Sequence, residues 1–239
     1  MPGESDAAGL SQFAARRLMA HMRDGEAAHD ALRYALGDAE KSYLGLRRRA
    51  PKERYEIPHA SMMFIAANDD GFEALWFGDC AGLLKCPNQP VAVIGDAFDK
   101  REQEAARVTK LAQKSGLSPA AGINRPEYLA ALRKARNYAN SEKGHWAFAP
   151  ETAPADHVSR QSYVAPAGSL LLLASDGFLA LASDYGRYDA QSLMIAAEEH
   201  GLEALGEELR AIETADPDGT RFARFKTHDD ATAILLRVM

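Results

Sequence analysis

Ser169-Leu170-Leu171-Leu172-Leu173-Ala174-Ser175-Asp176-Gly177 is the stretch on which the fold class turns. Its apolar core, Leu170 to Ala174, has neither the alternation of a half-exposed strand nor the gaps of an amphipathic helix. It reads as a short strand buried on both faces. It is far shorter than the ~20 residues that cross a bilayer. The run ends in Ser175-Asp176-Gly177, so a carboxylate stands at the mouth of a rigid element. Asp-Gly after a strand is also an ordinary turn, and taken alone this one says no more than that.

Moving outward, the C-terminal side carries two helical patterns, near 189–199 and 202–214. A turn at Asp216-Pro217-Asp218-Gly219 follows, and then a terminal strand from Ala231 to Val238. On the N-terminal side, His145-Trp146-Ala147-Phe148 reads as a short strand and Glu127 to Asn140 as a helix. Residues 98–115 also have helical spacing. The region 58–95 reads as antiparallel β: Ser61 to Ala66, the turn Asn68-Asp69-Asp70-Gly71, Phe72 to Phe77, Ala81 to Lys85, and Val91 to Ile94. Two helices open the chain, one on Leu10, Phe13, Ala14, Leu18 and Met22, the other running from Ala28 to Leu46 before Pro51 stops it. With no repeats and no linker-like boundary, a single α+β domain over residues 1–239 is expected.

Composition narrows the function classes. The chain has 239 residues, 46% hydrophobic and 26% charged, which excludes a disordered protein. Its 28 Lys and Arg against 34 Asp and Glu leave a net charge of −6, with no overall footprint for nucleic acid or an anionic membrane. Arg47-Arg48-Arg49 is a local exception, read as a solvated turn ending a helix. Cys80 and Cys86 are too few for a disulfide framework and are not spaced for zinc. Reduced thiols and a cytoplasmic location are expected. The first six residues lack the basic and apolar segments of a signal peptide.

No histidine pair, Gly-x-Ser-x-Gly elbow or phosphate-binding Gly-rich loop with Lys is present, so nucleophilic catalysis has little support. Aspartates at strand ends are more informative. Asp79 follows Phe77-Gly78, Asp176 follows Ala174-Ser175, and Asp229-Asp230 precede the last strand. Gathered from adjacent strands, such carboxylates form an oxygen-only nest for hard cations such as Mg²⁺ or Mn²⁺. The plain alternative is an unrelated α+β domain whose aspartates merely end strands and lie scattered over the surface.

Taken in order, three segments resemble the protein phosphatase 2C family. Ser61-Met62-Met63 with Phe77-Gly78-Asp79-Cys80-Ala81 is similar to its central hairpin, which usually reads Gly-Asp-Ser. Leu171 to Phe178 is similar to its apolar strand ending in Ser-Asp-Gly. Phe225 to Leu236, with His228-Asp229-Asp230-Ala231-Thr232, is similar to its last strand. The resemblance implies an antiparallel β-sandwich flanked by helices on both faces, and a Mg²⁺- or Mn²⁺-dependent hydrolase of phosphoserine and phosphothreonine in proteins. By that resemblance Asp176 and Asp229 are the catalytic metal-binding residues, Gly177 lies in the ligand set, and Asp79 matches an outer metal position. A metal-activated water would attack phosphorus in line.

The sequence departs from the family at two places. The family's early strands carry an Arg, acidic residues and an Asp-Gly-x-Gly motif, whereas this sequence runs from Pro2-Gly3-Glu4-Ser5-Asp6 almost directly into a helix. Its Asp24-Gly25 lies after that helix and reads as the turn that ends it. Ala180 stands where many members have an acidic residue. The expectation is an N-terminally shortened member with an incomplete two-metal site and unpaired sheet edges. Such a chain is either an enzyme or a catalytically impaired binding or regulatory module. Trp76, Trp146, Met62 and Met63 are expected in the core, and Arg221 and Arg224 in a solvated loop.

Overall fold

A computed structural model describes residues 6–96, 126–217, 219–222, 224 and 228–239. The helical pattern at 98–115 lies outside the described residues. The chain divides into two compact units, one formed by residues 1–78 and 131–163, the other by 79–130 and 164–239.

In the first unit, α1 (Asp6–Arg23) and α2 (Ala28–Leu46) form where the apolar spacing predicts them. Leu10, Ala14 and Leu18 of α1 and Leu32, Ala35 and Leu36 of α2 are buried in one cluster. Their partners there are Ala66, Leu75, Phe77 and Phe148. Ala66 belongs to β1 (Met62–Asn68), and Leu75 and Phe77 belong to β2 (Gly71–Phe77). The two strands pair antiparallel from Met62↔Phe77 to Asn68↔Gly71, with Gly71 at φ 158° beside the Asp69-Asp70 turn. Gly78, at φ 77°, ends the hairpin against Ser61. A Cβ there would stand 2.4 Å from the Ser61 hydroxyl, so this position demands glycine twice over.

A third strand, β5 (Ser159–Val164), adds to β2 to give the order β1-β2-β5. Its first four residues, Ser-Arg-Gln-Ser, are polar and exposed and Val164 is apolar but exposed, so hydrophobic patterning does not reveal it. Tyr163 stacks on Phe72 at 5.4 Å. His145 to Phe148 is not a strand; it contributes only an isolated bridge, Ala60↔Phe148. The helix expected from Glu127 to Asn140 is α3 (Pro126–Arg136) and stops early. Asn140, at φ 52°, turns the chain and donates to Glu151 through its side chain.

The second unit holds the other antiparallel sheet, in the order β4-β3-β6-β7. Its strands are β3 (Ala81–Lys85), β4 (Ala92–Ile94), β6 (Leu170–Ala174) and β7 (Ala233–Arg237). The strand-rich region 58–95 therefore serves two sheets, and Gly78-Asp79-Cys80 carries the chain from one to the other. One sheet face, with Ala81, Leu83, Leu172, Ala174 and the half-buried Leu235, packs with α4 (Asp176–Ser183) and α5 (Ala190–Ala215). Helix α5 begins with a capping box: Asp189 accepts the Ser192 N–H, and the Ser192 hydroxyl accepts the Asp189 N–H. It breaks at Gly201 (φ 81°, ψ 163°), so the two helices read from the sequence lie end to end.

The architecture is thus α+β with two antiparallel sheets, as expected. Among the described residues the first element is α1, and no helix is long and apolar enough to cross a membrane.

Candidate functional site

All three aspartates singled out in the sequence belong to the second unit. Register brings them to one end of its sheet. Ala81 pairs with Ala174 and Ala174 with Ala233, so the next residues outward lead to Asp79 before β3, Asp176 after β6 and Asp229-Asp230 before β7.

The segment Ser175-Asp176-Gly177 is stitched to the lead into β7. The Ser175 N–H donates to the Thr232 carbonyl at 2.9 Å. Its hydroxyl accepts the Thr232 N–H at 3.0 Å and donates to the Asp230 carbonyl at 3.3 Å. Ser175 occupies the N-cap position of α4 yet makes no side-chain cap bond to that helix; its hydroxyl is used across the strands instead. Gly177 makes the closest approach. A Cβ there would stand 2.4 Å from the Asp230 carbonyl oxygen and 3.2 Å from the Asp229 Cβ. A side chain at 177 would push the two aspartate segments apart. Each residue of the Ser-Asp-Gly turn thus has its own geometric role. Ser175 ties the segments, Asp176 presents a carboxylate, and Gly177 lets Asp229 come close.

Each carboxylate is aligned by the amide next to it. Asp176 Oδ1 accepts the Gly177 N–H at 2.8 Å, and Asp229 Oδ1 accepts the Asp230 N–H at 2.9 Å. Both residues are half-buried, as is Asp79. Cys80 senses two of them: burial, then the negative charges of Asp79 and Asp176, push its thiol up to about 12. At neutral pH it is an uncharged thiol, not a nucleophile. Cys80 and Cys86 are both free, as expected.

Behind this sheet end lies a second set of acids that no sequence motif announces. Glu213 is 2% exposed and accepts from Arg210 at 2.5 Å, and His228 Nδ1 stands 2.9 Å from it. Arg210 also donates to the Asp229 carbonyl at 2.8 Å, so it links Glu213 to the Asp229 backbone. Asp216 is 6% exposed and accepts from the Arg221 and Phe222 N–H groups and from Arg224 at 2.7 Å. Burial alone would raise this carboxyl; these hydrogen bonds outweigh it and hold the group at about 2. Arg224 is therefore a buried ion-pair partner, not a residue of a solvated loop, because Asp216 requires a counter-charge. Arg221 is exposed and lies over the Phe222 ring at 5.0 Å. The one hint in the sequence is an acid three residues from an Arg on a helix.

In donor type, carboxylate oxygen, these residues match what hard divalent cations take. Asp176 and Asp229 offer oxygens on rigid, adjoining segments, and Mg²⁺ is commonly held by one or two carboxylates with water completing its shell. They do not amount to a two-metal centre: among the described residues no group of three or more His, Cys, Asp or Glu is arranged to hold a metal ion.

Comparison with known proteins agrees on the fold. No family model matches the chain, and no curated protein matches it by sequence. Solved structures do match. The serine/threonine phosphatase PstP/Ppp of Mycobacterium tuberculosis is similar over 100% of this chain and 85% of its own, with a TM-score of 0.55 and 15% identity. The catalytic domain of PstP in complex with two manganese ions gives 0.52 and 16%, over 98% of this chain and 82% of that one. PppA, a regulatory component of the T6SS in Pseudomonas aeruginosa, gives 0.51 and 17%, over 100% and 83%. The chain therefore has the fold of the phosphatase 2C-type serine/threonine phosphatases, as the three sequence segments imply.

Proposed function

We propose that the 239 residues act as one phosphatase 2C-like domain that hydrolyses phosphoserine or phosphothreonine in proteins. One observation carries this reading: the Ser175-Asp176-Gly177 turn is locked onto Asp229-Asp230, with glycine required at the contact. A plain strand-ending aspartate has no need of that arrangement, and scattered aspartates would not share one sheet end. The fold similarity supports the reaction class by analogy.

In this reading Asp176 and Asp229 hold one divalent cation, Mg²⁺ or Mn²⁺, and Gly177 keeps the two segments close. Asp79, on the neighbouring strand, contributes further negative charge at the same sheet end. A bound cation supplies a Lewis acid that activates water and offsets phosphate charge. The chain's own part is to orient the two carboxylates through the Gly177 and Asp230 amides, and to fix the Asp229 backbone through Arg210. Two free thiols suit a reducing compartment, and we place the protein in the cytoplasm.

A regulatory or binding module is the second reading, favoured by the lack of a three-donor cluster among the described residues. Hydrolysis of a phosphothreonine peptide with and without Mn²⁺ decides between them. The enzyme reading expects Mn²⁺-stimulated release of phosphate that is lost in Asp176→Asn. A folded protein with no stimulated activity leaves the binding module.

A further inference from the structure

The first unit contains a cleft of about 490 Å³ that the proposed reaction does not use. It is lined by Arg47, Arg48 and Arg49 beyond the end of α2, together with Asp6, Tyr43 and Glu56. Leu46, Pro51 and Pro58 give it apolar walls. All these residues lie within residues 1–78.

The helix dipole explains only part of this cluster. Helix α2 has no basic residue in its last turn, and Arg47, at its C-cap, bonds back to Tyr43 through its N–H. One cation there offsets the dipole, whose influence fades within a turn. Arg49 is committed elsewhere, to Glu56 at 2.6 Å, and the Lys52 N–H satisfies the same carboxylate. Arg47 lies 6.0 Å over the Tyr43 ring, which restricts its guanidinium. Arg48 is exposed, and among the described residues it has no hydrogen bond or ion pair. Three guanidinium groups against two carboxylates leave the cleft positive in a chain whose net charge is −6. Concave walls focus that field.

We propose that this cleft binds a phosphorylated, acidic segment of a protein partner. Arg48 and Arg47 would take the phosphate oxygens, for which the planar guanidinium fork is suited. Leu46, Pro51 and Pro58 would take the neighbouring apolar residue. The volume is in the range of organic-ligand pockets and well beyond what a lone phosphate ion fills. Leu46 is 58% exposed, so its side chain is open to that contact.

The test is fluorescence anisotropy of a labelled phosphothreonine peptide with flanking glutamates and one leucine, titrated with the full chain in EDTA. Chelation separates binding here from hydrolysis and from any cation at Asp176 and Asp229, so the two readings fail independently. Saturable binding is expected, weakened about tenfold by loss of the peptide's phosphate and about tenfold by Arg48→Glu. Arg48→Ala, gentler on the fold, should weaken it less, and circular dichroism should be unchanged in both variants. Wild-type chain that fails to bind at millimolar peptide overturns the proposal. So does equal affinity in Arg48→Glu, or Arg48-dependent capture by phosphatidylserine vesicles without peptide binding.

Discussion

Two groups of acids in the second unit serve opposite ends. Glu213 and Asp216 are buried and tied to guanidinium groups, Arg210 and Arg224. Asp176 and Asp229 are half-buried at the sheet end, each aligned by the amide of the next residue. A buried carboxylate locked to a cation is spent on holding the chain in place. A half-buried pair on adjoining turns is, in the function proposed above, what holds the cation. Arg210, touching Glu213 and the Asp229 carbonyl, is where the first group positions the second.

The sharpest way to break this contrast is to remove the counter-charge from the buried group. Arg224→Met leaves Asp216 without its guanidinium and should cost about 3 kcal/mol in urea unfolding. Next comes the contact that joins the two site segments. Gly177→Ala forces a carbon against the Asp230 carbonyl and should cost about 2 kcal/mol. It should also weaken the Mn²⁺ response, since Asp176 and Asp229 must separate. An unperturbed Gly177→Ala variant would remove the reason for glycine at the site.

Acid titration probes the buried group again, with a smaller effect. The Asp216 carboxyl is held near 2, below its unfolded value of 3.8. Its stabilisation is therefore complete above about pH 4 and is lost as pH falls toward about 2. The loss is about 2 kcal/mol, and Asp216→Asn should flatten that part of the stability profile. The smallest stability change should come from the site itself: Asp176→Asn should shift unfolding by no more than about 0.5 kcal/mol. A large loss of stability in that variant would make Asp176 structural.

Much of this was legible in the sequence because periodicity reports burial. The helices α1 and α2 carry their apolar residues at the spacing of the face they bury, and the unbroken apolar run of β6 matches a strand covered on both sides. Strand β5 was not, because it is mostly polar and exposed and only its pairing with β2 makes it a strand. Helix α4 was hidden for a different reason. It spans eight residues, opens with the helix-poor Asp176-Gly177, and is apolar on all sides, which erases its period. The Asp176 and Asp229 positions were visible as motifs. Their closeness was not, since residues 53 apart in sequence meet only through the β6-β7 register. Asp216 was read only as a turn residue, Arg224 as solvated, and Glu213 not at all, because burial of a charge leaves no trace in composition.

Direct titration of Mn²⁺ into the apo chain by calorimetry, compared with Asp176→Asn and Asp229→Asn, tests the central claim most closely. The expected result is a binding event in the wild-type chain that falls by about tenfold or more when either carboxylate is removed. Binding that is unchanged in both variants, or no binding to the folded wild-type chain at millimolar Mn²⁺, would contradict it.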